Sequence, residues 1–116
     1  MHNCHLYGLD TLNQIRLYHW FSKSRSEHKI LNDLYDDFSG AFDRLIESMI
    51  SRGLLKNKNS LLESKEEYKN VKELVEWNVK EYSKFEKAQK DPEVKNIAAD
   101  ICEIFGKAKY LLDMKP

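Results

Sequence analysis

One apolar stripe in the first half of the chain restricts the fold more than any other feature of the sequence. Its members are spaced by three or four residues, as on one face of an α-helix. Ser24 followed by Glu27 forms a capping box, and Gly53 is typical of the left-handed residue that ends a helix. The pattern predicts a helix over 25–52 whose buried face contains Leu31, Leu34, Phe38, Phe42, Leu45 and Met49.

Three other segments share this helical periodicity. Asp10 or Thr11 can cap the first of them. Asp91 followed by Pro92 is typical of the start of another, because proline in the first turn lacks only an amide that has no partner there. The start between these two is less defined, since Ser60 and Ser64 each precede a glutamate by three residues. The predicted bounds are 10–22, 61–90 and 92–114.

Four amphipathic helices predict an all-α single domain over 1–116, folded as an antiparallel four-helix bundle with Asn78 as a core amide. The connection after the second helix decides the topology. If the third helix begins near Ser60, this connection is too short to return along a helix of about 40 Å. If residues 53–66 are extended, they can span about 45 Å and form the long crossover of a ferritin-type bundle. The sequence is compatible with both arrangements.

Charge and cysteine content narrow the partners and the compartment. The chain has 19 basic and 19 acidic residues and no basic tail or face, so we expect neither nucleic acid nor membrane as a partner. It has no signal-peptide pattern and no apolar run near 18 residues, which predicts a cytoplasmic protein with Cys4 and Cys102 as free thiols. Cys4 lies in a terminal run with His2 and His5, and we expect this run to be frayed.

Two histidines and two carboxylates have the residue types of a mixed nitrogen and oxygen metal site. Imidazole and carboxylate are ligands that iron, manganese and zinc accept. His19 and His28 flank the predicted turn between the first two helices, where their side chains can approach each other. Asp43 and Glu47 are one helical turn apart and share a face. These four residues are the predicted metal ligands.

The ligands of one chain cannot all bind the same ion. His28 and Asp43 are separated by 15 residues of one helix, or about 22 Å. With Glu47, they lie in a sector of about 100° beside the apolar stripe, facing out of the subunit. A second chain packed antiparallel on this face, with a twofold axis near Tyr35 or Asp36, brings His28 of one chain to the carboxylates of the other. The spacing predicts a homodimer through the second helix. The other interpretation is a set of unrelated surface groups.

The arrangement of these residues resembles the Dps family of mini-ferritins, and is closest to small ferritin-like proteins of large phages. The similarity covers the first, second and fourth helices well and the third loosely. The residues that carry it are His19-Trp20, His28, Asp43 and Glu47, together with Asp91, Asn96-Ile97, Ile101, Lys107, Tyr110 and Leu112 of the last helix.

The resemblance implies a ferritin-like fold, oxidation of Fe(II) by peroxide or oxygen, and storage of the product in a higher oligomer. It assigns the four ligands to iron and makes Trp20 their aromatic neighbour. Asn32 stands where the family has a further acidic ligand, and Asp36 is a nearby carboxylate. The alternative hypothesis is therefore a non-enzymatic helical bundle, encoded by a phage, that binds a host protein or a small effector.

Overall fold

The structure, a computed structural model, describes residues 3–114 and is all-helical over that range. This confirms the predicted all-α class, and the four long helices are compatible with a bundle. Two short 3₁₀ turns accompany them, Cys4–Tyr7 before the first helix and Lys58–Leu62 between the second and third. The helices are α1 (Gly8–Phe21), α2 (Arg25–Ser51), α3 (Val71–Ala88) and α4 (Pro92–Met114).

Helix α2 begins and ends where the sequence predicts. The Ser24 hydroxyl accepts a hydrogen bond from the Glu27 amide at 3.2 Å, which satisfies one of the free donors of the first turn. Gly53 has a φ of 71°, and its amide donates to the Ile50 carbonyl at 3.0 Å, so the helix stops at a left-handed glycine. All six residues of the predicted stripe are buried.

Helix α4 is capped as predicted and is tied to the end of α2. The Asp91 carboxylate accepts hydrogen bonds from the amides of Glu93 and Val94 at 3.0 and 3.1 Å. Arg52 donates to Asp91 and to Glu93, each at 2.6 Å. The Val94 amide, with help from Arg52, lowers the pKa of Asp91. The C-terminal end of α2 therefore contacts the N-terminal end of α4.

The predicted start of α3 at residue 61 is wrong, because neither Ser60 nor Ser64 caps it. Asn70 is the cap, and its side chain accepts a hydrogen bond from the Glu73 amide at 2.8 Å. The preceding segment is bound by side chains of α1 instead. Asp10 accepts from the Lys65 amide at 3.1 Å, and Gln14 accepts from the Tyr68 amide at 3.3 Å. These bonds use amides that a helix beginning near residue 61 would need for itself.

The core is formed by one face of each helix. Helix α4 packs on both α2 and α3, and α1 packs on α2. Phe38, Tyr82 and Phe105 meet in the centre, with the rings of Phe38 and Phe105 4.8 Å apart between centroids. Asn78 is buried as predicted, and its amide donates to the Leu74 carbonyl at 2.9 Å. The same core thus joins all four helices.

The N-terminal 3₁₀ turn is part of this core, so the prediction that the run around Cys4 is frayed is wrong for Cys4 and His5. Both are buried, and the His5 ring lies 5.1 Å from that of Phe85. Burial raises the pKa of the Cys4 thiol and lowers the pKa of His5 to about 4. Cys4 and Cys102 are free thiols, as predicted. His2 lies outside the described residues.

Candidate metal centre

The turn between α1 and α2 brings the two predicted histidine ligands into contact. His19 lies in the last turn of α1 and His28 in the first turn of α2. Their imidazole rings stack with 3.9 Å between centroids and 30° between planes. The Ser22 hydroxyl donates to the Ser24 carbonyl at 3.2 Å and helps to hold the connection. We call His19 and His28 the histidine pair.

Each ring of the histidine pair is held by the backbone of the other residue. The distance from Nδ1 of His28 to the His19 carbonyl is 2.9 Å, and that from Nδ1 of His19 to the His28 carbonyl is 3.2 Å. A carbonyl oxygen can only accept, so both Nδ1 atoms carry hydrogen. In the neutral rings, both Nε2 atoms are therefore free acceptors. Histidine ligands of metals are typically oriented this way, by a hydrogen bond from their other nitrogen.

The predicted carboxylate ligands lie further along α2. Asp43 and Glu47 are one turn apart and both exposed, and we call them the carboxylate pair. His28 is exposed as well, as the outward-facing sector predicts, but about 22 Å of helix separates it from Asp43. Within residues 3–114 of one chain, no group of three or more His, Cys, Asp or Glu side chains is placed to hold a metal ion. One chain thus offers two separated pairs of donors.

The other predicted residues surround a small surface cavity beside the histidine pair. It has a volume of about 160 Å³ and lies between α1 and α2. Asn32, Asp36 and Trp20 all line it, and Trp20 is 60% exposed. The full lining is Arg16, His19, Trp20, Asn32, Tyr35 and Asp36.

Arg16 is a member of this cavity that the sequence interpretation missed. Its guanidinium carbon lies 4.4 Å from the centroid of Tyr35 and 5.6 Å from that of Trp20. Such contacts hold a cation over an aromatic face. The spacing of four residues between Arg16 and Trp20 on one helix was a signal for part of this arrangement. The contact with Tyr35 depends on how α1 packs on α2, which the spacing does not specify.

A second cavity, also lined by residues of α1 and α2, includes Asp43 of the carboxylate pair. It has a volume of about 380 Å³, and Asp43 and Gly40 are among its lining residues. A side-chain carbon added at Gly40 would meet no atom within 4 Å, so nothing in this chain requires a glycine there. We call this cavity the α1/α2 groove; its lining is Leu9, Leu12, Ser39, Gly40, Phe42, Asp43, Ile46 and Leu61.

These observations define an all-helical protein with an oriented pair of imidazoles at its surface. The model of the family of unknown function DUF5856 matches residues 19–112, and the chain belongs to that family. The match includes both the histidine pair and the carboxylate pair. No curated protein and no solved structure matches the sequence. No helix within residues 3–114 is both long and apolar enough to cross a membrane.

Proposed function

We propose that this protein is a ferritin-like, Dps-like cytoplasmic protein that binds iron between two copies of the chain and oxidises Fe(II). The observation that carries the proposal is the reciprocal bonding of His19 and His28, which leaves Nε2 of each imidazole free at the surface. Iron is the substrate, and Mn or Zn are ions that the same donors accept.

A ferritin-like chain direction is the structural part of the proposal. Helices α1 and α2 run antiparallel, α2 and α3 run parallel, and α4 runs against both. The contact of Arg52 with Asp91 supports this, because it joins the end of α2 to the start of α4. At the other end, a cavity lined by Leu34 of α2 and Leu111 of α4 joins the start of α2 to the end of α4.

The crossover that this direction requires is residues 53–70. Its backbone is bonded first by Asp10 and then by Gln14, so it follows α1 back along the bundle. The Tyr18 hydroxyl donates to the Tyr68 carbonyl at 2.8 Å and extends this series of contacts by another turn of α1. A single long connection between the second and third helices is the topology of ferritin-like bundles.

The proposed dimer places two copies antiparallel about a twofold axis near Asp36. This residue is midway along α2 between His28 and the carboxylate pair, so each histidine pair meets the partner's Asp43 and Glu47, and two equivalent sites form. Gly40 supports the contact. Glycine destabilises a helix by about 1 kcal/mol relative to alanine, and here it leaves the surface of α2 open for the close approach of a second helix. Higher oligomers can be built from such dimers.

The donor set suits iron in both oxidation states. Neutral imidazole nitrogens bind Fe(II), and the two carboxylates favour Fe(III) because hard, negatively charged oxygen donors match its greater charge. Each Fe(II) gives one electron to oxygen or peroxide from solution. Asn32 lines the cavity beside His19 and adds a neutral amide rather than a third carboxylate. We therefore expect weaker iron binding than a site with an additional acid would have.

The experiment compares Fe(II) oxidation by the wild-type chain with that of His28→Ala and Glu47→Ala. Both residues are exposed, so the free energy of unfolding of each variant should lie within about 1 kcal/mol of that of wild type. Oxidation is measured by the absorbance of the ferric product. We expect each substitution to abolish stoichiometric oxidation. Lys29→Ala is the matched control, because Lys29 is an exposed neighbour of His28 on α2.

Mixing the two variants sharpens this test. A dimer of His28→Ala with Glu47→Ala keeps one intact site, formed by the histidine pair of the second chain and the carboxylates of the first. We expect mixing to restore up to about a quarter of wild-type oxidation, since half of the dimers are mixed and each has one site of two. Unchanged oxidation in both single variants would contradict the proposal.

A non-enzymatic interaction protein is the second candidate. It is favoured by a cavity of about 450 Å³ between α1 and the crossover, where Leu17 is 51% and Phe21 79% exposed. Exposed apolar groups around a cavity are typical of a binding surface for a host protein or a small effector. Metal content after purification with added Fe(II), together with mass by light scattering, distinguishes the two. A metal-free monomer favours the interaction protein.

A further inference from the structure

We infer that Trp20 of each chain, with Arg16 beside it, inserts into the α1/α2 groove of the partner chain and holds the dimer together without metal. The inference rests on the antiparallel twofold pairing proposed above. It goes beyond that pairing because it names the contact that provides the binding energy. The occupant of the groove is a second copy of this chain.

The residues involved lie on one outer face of the molecule. At 100° per residue, Leu9, Arg16 and Trp20 fall within about 40° of one another around α1. Leu9 lines the groove, whereas Arg16 and Trp20 line the smaller cavity near the histidine pair. The cavity and the groove are therefore two parts of one surface that runs along the seam between α1 and α2.

The register of the dimer brings these two parts together. A twofold axis near Asp36 exchanges the two ends of α2, so the level of His28 in one chain is the level of Asp43 and Glu47 in the other. Trp20 follows His19, whose ring stacks on His28. Trp20 therefore lies opposite the partner's Asp43 and Ile46, which belong to the groove.

Shape and charge are complementary across this contact. Trp20 is 60% exposed in the single chain, and burial of an exposed tryptophan is a common source of dimer affinity. The groove is largely apolar, with Leu9, Phe42 and Ile46 in its lining together with the carboxylate of Asp43. Arg16 brings a positive charge beside Trp20, and Asp43 presents a carboxylate in the groove. An aromatic ring with an adjacent cation matches an apolar groove with an adjacent anion.

The first experiment measures the dimer dissociation constant by analytical ultracentrifugation of the full chain in EDTA. We expect Trp20→Ala to raise this constant by about 30-fold, as for a central aromatic anchor. Leu17→Ala is the matched control, because Leu17 is a 51% exposed apolar residue of the same helix. It faces the crossover, so its substitution should leave the constant within about twofold. Circular dichroism checks that both variants are folded.

Tryptophan fluorescence follows the same contact directly. Trp77, the other tryptophan, is replaced in Trp77→Phe so that Trp20 is the remaining emitter. Emission should shift to shorter wavelength as the concentration passes through the dissociation constant, because the indole leaves water for the groove. Ile46→Glu places a second carboxylate in the groove and should abolish both the shift and the dimer. If Trp20 in the dimer still emits at the wavelength of a solvent-exposed indole, the inference is overturned.

A charge exchange tests the pairing of Arg16 with the partner's Asp43. Within one chain, the Arg16 guanidinium lies over Tyr35, and about 12 Å of helix separates Tyr35 from Asp43. Arg16→Glu and Asp43→Arg should each raise the dissociation constant about tenfold, because like charges then face each other. The double variant should return to within about threefold of wild type. Asp36 lines the same cavity as Arg16. The double variant Arg16→Glu with Asp36→Arg is therefore the control for a pairing of Arg16 with Asp36 instead of Asp43.

The outcomes separate this inference from the proposed iron chemistry. A dimer that Trp20→Ala leaves intact overturns the inference, even if iron oxidation by wild type is normal. A dimer that depends on Trp20 supports it, even if His28→Ala oxidises Fe(II) as well as wild type, which contradicts only the proposed function. A metal-free chain that stays monomeric at every accessible concentration also overturns the inference. Failure of the double variant to restore the dimer rejects the contact between Arg16 and Asp43.

Discussion

His5 and the histidine pair are two contrasting histidine environments within one small protein. His5 is buried against Phe85, and its Nδ1 has no hydrogen-bond partner among the described residues. In the histidine pair, both Nδ1 atoms are bonded to carbonyl oxygens near the surface. Histidine thus packs as part of the hydrophobic core in one place and is held by backbone hydrogen bonds, as a metal ligand would be, in the other.

The difference shows which structural features make a histidine suited to bind a metal. Burial of His5 lowers its pKa to about 4, so the ring is neutral near pH 7, but the ring packs in the core against Phe85 and its Nδ1 has no hydrogen-bond partner among the described residues. His19 and His28 are less buried than His5, and hydrogen bonds from Nδ1 to the backbone orient their rings. This arrangement leaves their Nε2 atoms accessible. Orientation of both rings by the backbone marks the candidate site.

The largest expected effect comes from removing the buried ring. His5→Ala should lower the free energy of unfolding by about 2–4 kcal/mol, because it leaves a cavity against Phe85 in a well-packed core. The measurement is urea denaturation followed by circular dichroism at pH 7. The same substitution at His28 should cost less than about 1 kcal/mol, because His28 is exposed.

His5→Phe is the matched control for this prediction. It keeps an aromatic ring next to Phe85 and removes the Nδ1 atom that has no partner. Removing an unsatisfied buried polar group is nearly neutral or stabilising when the shape is kept. Equal destabilisation by His5→Ala and His5→Phe would show that a polar contact of His5, rather than its packing, supports the fold.

An intermediate effect is expected on acidification. The pKa of His5 is about 4 in the folded protein against 6.5 in the unfolded chain, so between these values the unfolded chain binds the extra proton. The stability that neutral His5 provides is fully present above pH 6.5 and is lost as the pH falls towards 4. At 1.36 kcal/mol per pKa unit, the loss is on the order of 3 kcal/mol.

Urea denaturation of wild type and His5→Phe at pH 7, 6, 5 and about 4 checks this dependence. Wild type should lose more stability over this range than His5→Phe, since phenylalanine does not titrate. The carboxylates contribute equally to both proteins and cancel in the comparison. Parallel curves would mean that His5 is protonated as easily in the folded chain as in the unfolded one.

The sequence was sufficient for elements that local patterns determine. The α2 stripe, its Ser24 cap and the stop at Gly53 all depend on residues within a few positions of one another, and all three predictions are confirmed. The proximity of His19 and His28 was also predictable, because a short turn joins their helices. Asp91 and Pro92 likewise marked the start of α4.

Features that depend on distant residues were not predictable in this way. Residues 61–70 carry helix-like signals, yet Asp10 and Gln14 bind their amides from more than fifty positions away. The burial of His5 depends on Phe85, which no local pattern connects to the N-terminal run. The reciprocal bonds of the histidine pair depend on the angle of the turn, so the sequence predicted the ligands without their orientation.

The smallest effect is a tautomer preference within the histidine pair. Reciprocal bonding requires hydrogen on Nδ1 in both His19 and His28, whereas free neutral histidine favours hydrogen on Nε2. A hydrogen bond contributes about 1 kcal/mol, which is enough to reverse that preference without a detectable change in overall stability. Long-range ¹H–¹⁵N spectra of the metal-free chain near pH 8 distinguish the two tautomers. We expect a protonated Nδ1 and an unprotonated Nε2 in both rings, and Ala substitution of either residue should leave the other ring in this tautomer, because the accepting carbonyl belongs to the backbone and is kept. Hydrogen on Nε2 in the wild-type pair would remove the free nitrogen lone pairs that bind the metal in the proposed iron site.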